Sequence, residues 1–489
     1  MDKDLRDWID QLRKEGDLKE ISCEVDWNDE IADIERKVLD EDGPALLFTN
    51  IKDYRDTLCK KFFIGSLGSW RKIAWALGLP PDTPPSELMR EQRKLSHQPI
   101  KPAVVKTGPV KENIIEEKDV DLFQFPVPKY HELDGGRYIS TFNGVVTKDP
   151  ETGWVNVGLY RGMVHEDAKS IGILLVGASD WGKMASKYAY LNKPMEVAYV
   201  FGGNPFIPYA ASSPYDVGVC EYDIVGGLSR QPVELVKCET VDLHVPANAE
   251  IVIEGTISLD PNTYRMEGPF GEYTGYYGGL RGLKPWVKVT CITHRNDPIL
   301  LGSIEGHPYD DGALIESLTV GSLALDRLDK TVPGVLDVWV PPVTHGADVV
   351  VKIRKTYQGQ AKQIASALWC LSPWFFKNVM VVDEDIDIHD PDQLLWAFTY
   401  RVWDPDEDIV VLRGSMGSIL DPSCPPHLKD AKKMGGVGRW NRLCIDATKD
   451  WRLDPQPEWG EGAKYPPANR YIPTPQKILD RWKEYGFKK

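Results

Sequence analysis

The sequence predicts a mixed α/β (α+β) protein: an N-terminal α/β unit, a β-rich middle and a C-terminal α/β unit with a terminal helix. Helical and strand periodicities alternate early, short β runs split by turn residues fill about 137 to 310, and the alternation returns beyond 320. The expected divisions are 1–115, 116–315, 316–450 and a tail, 451–489.

In the first unit, Leu5, Trp8, Ile9 and Leu12 recur at helical spacing and Gly16 follows as a stop. Ile31, Ile34 and Val38 mark a second helix, after which Gly43-Pro44 leads into the strand-like run ALLFTNI. The proline-rich passages PPDTPPSEL and KPAVVKTGPVKENI then suit a connection ending near residue 115.

The middle carries RYISTFNGVV, WVNVGLYRGMV, KSIGILLV, MEVAYVFGG, VELVKCETV, EIVIEGTIS and WVKVTCIT, a pattern that fits a barrel or a sandwich. TKDPETG, with Asp-Pro and Gly, suits a hairpin turn between the first two runs, and DWGKMASKYAYL reads as an interrupting helix. Further on, GVLDVWVP, DVVVKIRK and NVMVVDEDIDI alternate with the helical GQAKQIASALWCL and PDQLLWAFTYRV. The tail ends in PQKILDRWKEYGF, whose Ile478, Leu479 and Trp482 need a docking surface, consistent with a homodimer or larger homo-oligomer.

Composition excludes several classes. A chain of 489 residues exceeds the roughly 250–300 residues that one core fills, so two or three domains follow. A net charge of −15 gives no overall attraction for nucleic acid or anionic lipid. The eight cysteines form no CxxC pair, as suits free thiols in a reducing cytoplasm. The N-terminus lacks a signal-peptide core, and no stretch approaches the 18 or so apolar residues of a membrane span.

The densest unusual segment is MEGPFGEYTGYYGG, residues 266–279, where Glu267 and Glu272 flank a Gly-Pro-Phe-Gly turn. Glycines allow close backbone approach, and neighbouring carboxylates can have their pKa values driven apart so that one stays protonated. A solvated acidic turn is the plain alternative. Upstream, Asn156 and Arg161 share a strand-like run, but five residues apart they face opposite sides unless the strand bulges. An arginine beside the two glutamates would orient one of them bidentately; alone it reads as a surface ion pair. Glu234 sits between apolar residues in VELVKCET, where it faces either solvent or a cation. His165, His307 and His345 have no zinc-ligand spacing, and there is no GxSxG, Walker or strand-to-helix GxGxxG motif.

In that order, N-x4-R, E-L-V-K-C and E-G-P-F-G-E resemble the UbiD decarboxylase family, notably its ferulic-acid-decarboxylase branch. The similarity runs over nearly the whole chain, through KTGPVKENI, VELVKCETVDLHVPANAEIVIEGT and DEDIDIHDPDQLLWAF. The resemblance implies a central split β-barrel binding prenylated FMN, a divalent Mn2+ or Mg2+ at its phosphate, a nearby K+, and a flavin prenyltransferase as cofactor supplier. Carried over by position, Asn156 and Glu234 match metal ligands, and Arg161, Glu267 and Glu272 match a catalytic trio. Val157 joins Asn156 and Arg161 in the cofactor-binding run, and Ala211 and Ser212 match the monovalent-cation segment.

The chain departs from that pattern in two places. Where the family supplies a metal-binding histidine, GASDWG places Ser179 or Asp180, and where it supplies a flavin-contacting lysine, ALWCLSPW places Cys370 or Leu371. Oxygen donors of this kind suit a hard cation. The implied reaction is reversible, non-oxidative decarboxylation of an α,β-unsaturated or aromatic acid, with Glu272 as proton donor and a substrate pocket near Ile315 and residues 414–420. The alternatives are the same scaffold working as a carboxylase, and a non-catalytic flavin-binding subunit.

Overall fold

The computed structural model describes residues 4–279, 281–306, 309–429, 437–449 and 474–487. The first helix, Leu5–Lys14, starts on Asp4, whose side chain accepts from the Arg6 and Asp7 amides. Its stripe of Leu5, Trp8, Ile9 and Leu12 is fully buried. Arg6 then reaches from the helix to the wholly buried Glu250 of the central sheet (2.8 and 2.9 Å), and Arg295 meets the same carboxylate at 3.2 Å.

The N-terminal sheet runs Leu18–Ile21, Ala45–Phe48, Lys61–Ile64 and Ile299–Leu301. Its last strand lies within the segment assigned to the β-rich middle, yet it pairs in parallel with Lys61–Ile64. Conversely, Asn113–Glu116, at the end of the expected first unit, pairs with the central strand Trp286–His294. Strands are therefore exchanged across both ends of the middle segment.

The central sheet is antiparallel and has nine strands. Its path runs Arg137–Ser140, Gly162–Val164, Ser170–Ile173, Trp286–His294, Ala249–Ile257, Met195–Gly202, Gly144–Lys148 and Val155–Gly158. TKDPETG forms the expected hairpin, with Val145 opposite Gly158 and Lys148 opposite Val155. Bulges at Phe201/Gly202 and Glu254/Gly255 curl the sheet. A Cβ on Gly255 would lie 2.5 Å from the Lys288 carbonyl oxygen, so the bend needs glycine. The two terminal strands of the path do not pair, which leaves a half-barrel with an open seam.

The C-terminal sheet is mixed, ordered Val335–Trp339, Asp348–Ile353, Asn378–Asp383, Gly438–Ala447 and Ile409–Gly417. The long helix Asp311–Leu328 packs on Pro85–Ser96 on one side and Gln360–Leu371 on the other. One apolar cluster accordingly extends from Trp8 and Phe63 through Leu318 to Val351 and Cys444. All eight cysteines are unbridged, and no described helix is long and apolar enough to cross a membrane. Of the expected tail, residues 451–473, 488 and 489 lie outside the described residues, as does His307, while Gln476–Leu479 is helical with Leu479 and Trp482 exposed.

Candidate active site

The acidic motif folds into a two-step hairpin. Arg265–Glu267 pairs with Gly282–Lys284, and Phe270–Gly271 pairs with Tyr277–Gly278. Between them Gly268 takes φ +82°, a left-handed conformation suited to glycine, and precedes the cis Pro269. A Cβ on Gly278 would lie 2.3 Å from Glu272 Cγ, so this glycine leaves the room that Glu272 occupies.

Arg161 approaches from the opposite side. The chain leaves the last strand of the central path at Gly158 and re-enters near its other end at Gly162, so Leu159, Tyr160 and Arg161 cross the open seam. This break supplies the bulge that a shared site for Asn156 and Arg161 requires. Tyr160 stacks on Trp181 with centroids 4.0 Å apart and anchors the crossing.

Arg161 Nε and Nη2 donate to Glu267 Oε1 and Oε2 at 2.9 and 3.0 Å, while Nη1 donates to Glu272 Oε1. Lys284 Nζ lies 2.5 Å from Glu267 Oε2, and the Tyr138 hydroxyl is 3.2 Å from Glu267 Oε1. Burial alone would raise the Glu267 carboxyl, but Arg161 and then Lys284 outweigh it and hold Glu267 below its usual range. For Glu272 burial prevails over Arg161, and the charge of Glu267 adds to it, so its carboxyl is raised. One guanidinium thus joins a carboxylate held below its usual range to one raised above it.

Lys284 was not singled out from the sequence. The signal lay in hairpin register, since the return strand RGLK must face residues 265–267.

On the far side of the seam, Asn156 Nδ2 donates to Glu221 Oε1 (3.2 Å), and the Val157 amide donates to Glu221 Oε2 (2.7 Å). Glu221 opens the helix Glu221–Ser229, which is buried along its whole length. The expected ligand Glu234 lies elsewhere. It is exposed at the start of Glu234–Lys237, in a separate three-stranded sheet, with its backbone facing Ala103. Glu221 therefore replaces Glu234 as the carboxylate beside Asn156. Its sequence signal was an acidic residue heading the glycine-rich apolar helix EYDIVGGL.

Ser179 caps the helix Asp180–Tyr190 and donates to the Val176 carbonyl oxygen (2.6 Å). With Asp180 it lines a cavity of about 700 Å3 that also contains Asn156, Glu221, Ala211 and Ser212. A connected lobe of about 280 Å3 holds Arg161, Glu272, Glu305, Glu316 and His345. Tyr160, Ala211 and Ser212 belong to both lobes, which places the Asn156 and Arg161 groups on one continuous cleft. Leu371, Met416, Ser418 and Leu420 close the cleft from the C-terminal unit, whereas Cys370 is exposed and Ile315 is buried behind the wall.

Families of known proteins match this chain almost end to end. The 3-octaprenyl-4-hydroxybenzoate carboxy-lyase N-terminal, Rift-related and C-terminal domain models match residues 9–92, 103–308 and 313–447.

The chain belongs to the UbiD family.

UbiD-family proteins are decarboxylases, and one similar protein is the phenolic acid decarboxylase of Sedimentibacter hydroxybenzoicus, 35% identical over 93% of each chain. The closed form of vanillic acid decarboxylase from the same organism superposes with a TM-score of 0.85 at 32% identity, covering all of both chains. The UbiD-class enzyme HmfF of Pelotomaculum thermopropionicum, solved with FMN, gives 0.82 at 30% identity over 99% of this chain and 100% of its own. An evolved dimeric HmfF was solved with prFMN, with a TM-score of 0.78 at 30% identity over 92% of this chain and 95% of its own.

The cleft fits the flavin that these UbiD-class structures hold, being long, continuous and walled by Tyr160, Leu371 and Phe375. The Asn156 end also fits a hard cation. Burial pushes Glu221 up to about 8 despite two hydrogen bonds, the state of a carboxylate without a counter-charge. Among the described residues no three His, Cys, Asp or Glu side chains converge on one point, so the oxygen donors here are the amide of Asn156 and the carboxylate of Glu221 rather than an acidic cluster.

Proposed function

We propose that the protein catalyses non-oxidative decarboxylation of an aromatic or arylacrylic acid with prenylated FMN, using Glu272 as proton donor. The observation that carries this reading is the buried guanidinium of Arg161, shared between an ionised Glu267 and a raised Glu272 at the narrow end of the cleft.

When bound, the prenylated flavin supplies the electron sink that no side chain offers for the pair left by CO2. Asn156 and Glu221, with Asp180 or Ser179, would hold a Mn2+ or Mg2+, which would supply positive charge for an anionic cofactor group; Ala211 and Ser212 would face K+. Glu267, fixed by Arg161 and Lys284, holds the guanidinium in register, and Arg161 positions the substrate carboxylate. Glu272 Oε donates its proton to the carbon from which CO2 leaves, then regains one from solvent.

The small lobe suits a free monocyclic acid, and Glu316, His345 and Tyr273 line its wall. Hydroxybenzoates head the list of substrates, in line with the phenolic acid decarboxylase relative. The exposed Leu479, Trp482 and Tyr485 of the C-terminal segment would dock on a second copy of the chain. Co-production with a flavin prenyltransferase, followed by CO2 detection over a panel of aromatic acids, tests the proposal. Release of CO2 from at least one acid is the expected result; a protein that takes up no flavin and releases no CO2 contradicts it.

A further inference from the structure

Glu267 is completely buried, yet it is held by two cations rather than one. Arg161 occupies both its oxygens from within the cleft, and Lys284 adds a second contact to Oε2 from the return strand of the hairpin. The Lys284 side chain is 18% exposed, so it reaches the site from the solvent edge. With Lys284 present, Glu267 is over-neutralised and the Arg161 charge stays available to Glu272; without it, Glu267 consumes that charge.

We propose that Lys284 is a positioning residue of the reaction, one that sets the pH range over which Glu272 carries its proton by competing with Arg161 for Glu267. This inference rests on the reading of Glu272 as the acid.

Other charges facing the pair leave room for such a role. Glu272 meets Arg161 from the seam crossing, Tyr273 beside it, and Glu305 from the segment after Ile299–Leu301. Glu267 meets Tyr138 from Arg137–Ser140 and His165 from behind. Arg265, on the same hairpin, is turned away and pairs with Asp167. Lys284 is thus the second cation of the network and stands at its outer edge.

The test uses full-length protein carrying Lys284→Met, Lys284→Gln or Lys284→Arg. In protein without cofactor, the carboxyl infrared band of Glu272, identified by its loss in Glu272→Gln, is titrated against pH. Both neutral variants should move the midpoint upward by roughly half to one pH unit, as loss of a nearby positive charge demands, and Lys284→Arg should restore it. In loaded protein the falling limb of kcat/KM should move to higher pH by the same amount, because the acid stays protonated longer. An unmoved or lowered midpoint in both neutral variants, or an arginine variant that behaves like them, overturns the inference. The titration needs no turnover, so wild-type protein inactive on every acid would sink the proposed reaction instead. An active wild type with an unmoved limb in the neutral variants would sink only the role of Lys284.

Discussion

Arg161 grips Glu267 with two parallel hydrogen bonds, at 2.9 and 3.0 Å, and spends only one guanidinium nitrogen on Glu272. The fork therefore fixes its own orientation against Glu267 and presents its remaining edge to Glu272, whose carboxyl is raised. Arg161→Lys keeps the charge but loses the fork. We expect kcat to fall by about 100-fold with flavin affinity changed little, a cost typical of misplacing a group that orients the reaction. Steady-state kinetics alongside FMN titration check this, and a lysine variant near wild-type kcat would contradict it.

The proposed metal site at Asn156 is directly testable. Glu221→Gln should weaken Mn2+ binding by about 10-fold or more, in the range seen when a group that supports a metal is lost. Glu234→Gln should leave it unchanged, because Glu234 points to solvent. Calorimetric titration with Mn2+ in the presence of FMN distinguishes the two. Equal loss in both variants would return Glu234 to the site.

Glu221 also carries a pH signature. Its folded pKa is raised to about 8, above the usual carboxylate value, so between those limits the folded protein binds more protons than the unfolded chain. That contribution is fully present below the unfolded pKa and is lost as pH rises toward 8. Metal-free protein should therefore lose stability from about pH 5 to pH 8, and Glu221→Gln should reduce the slope. Denaturant melts across that range measure it; a variant slope equal to wild type would refute the assignment.

Arg442 is buried without a carboxylate partner among the described residues and donates to the carbonyl oxygens of Ser372, Pro373, Phe375, Phe376 and Met416 at 2.7–3.3 Å. Burial lowers it to about 10, so it remains charged at neutral pH. It ties the 372–376 turn to the strand Ile409–Gly417, and both line the cleft. Arg442→Met would strand several buried carbonyls, so we expect a loss of about 3 kcal/mol or more in denaturant unfolding. A loss under about 1 kcal/mol would show that these carbonyls find other donors.

Much of this was legible where the information is local. The stripe Leu5, Trp8, Ile9, Leu12 is periodic, and its burial followed. Glu267 and Glu272 lie on one short hairpin, so their proximity needed only turn chemistry. What escaped depends on pairing between distant segments. The partner of Ile299–Leu301 lies more than 200 residues upstream, and nothing in the run ILL names it. Glu221 meets Asn156 because a buried helix end happens to face the seam, 65 residues along the chain. Periodicity reports which face of an element is apolar, not which element will cover it.

The central claim is most directly tested by single-turnover decarboxylation in deuterated solvent with prenylated-FMN-loaded Glu272→Gln. The variant should bind flavin as wild type does yet form deuterated product at least 100-fold more slowly, in line with loss of a positioned general acid. Product formed at the wild-type rate would show that the proton comes from elsewhere.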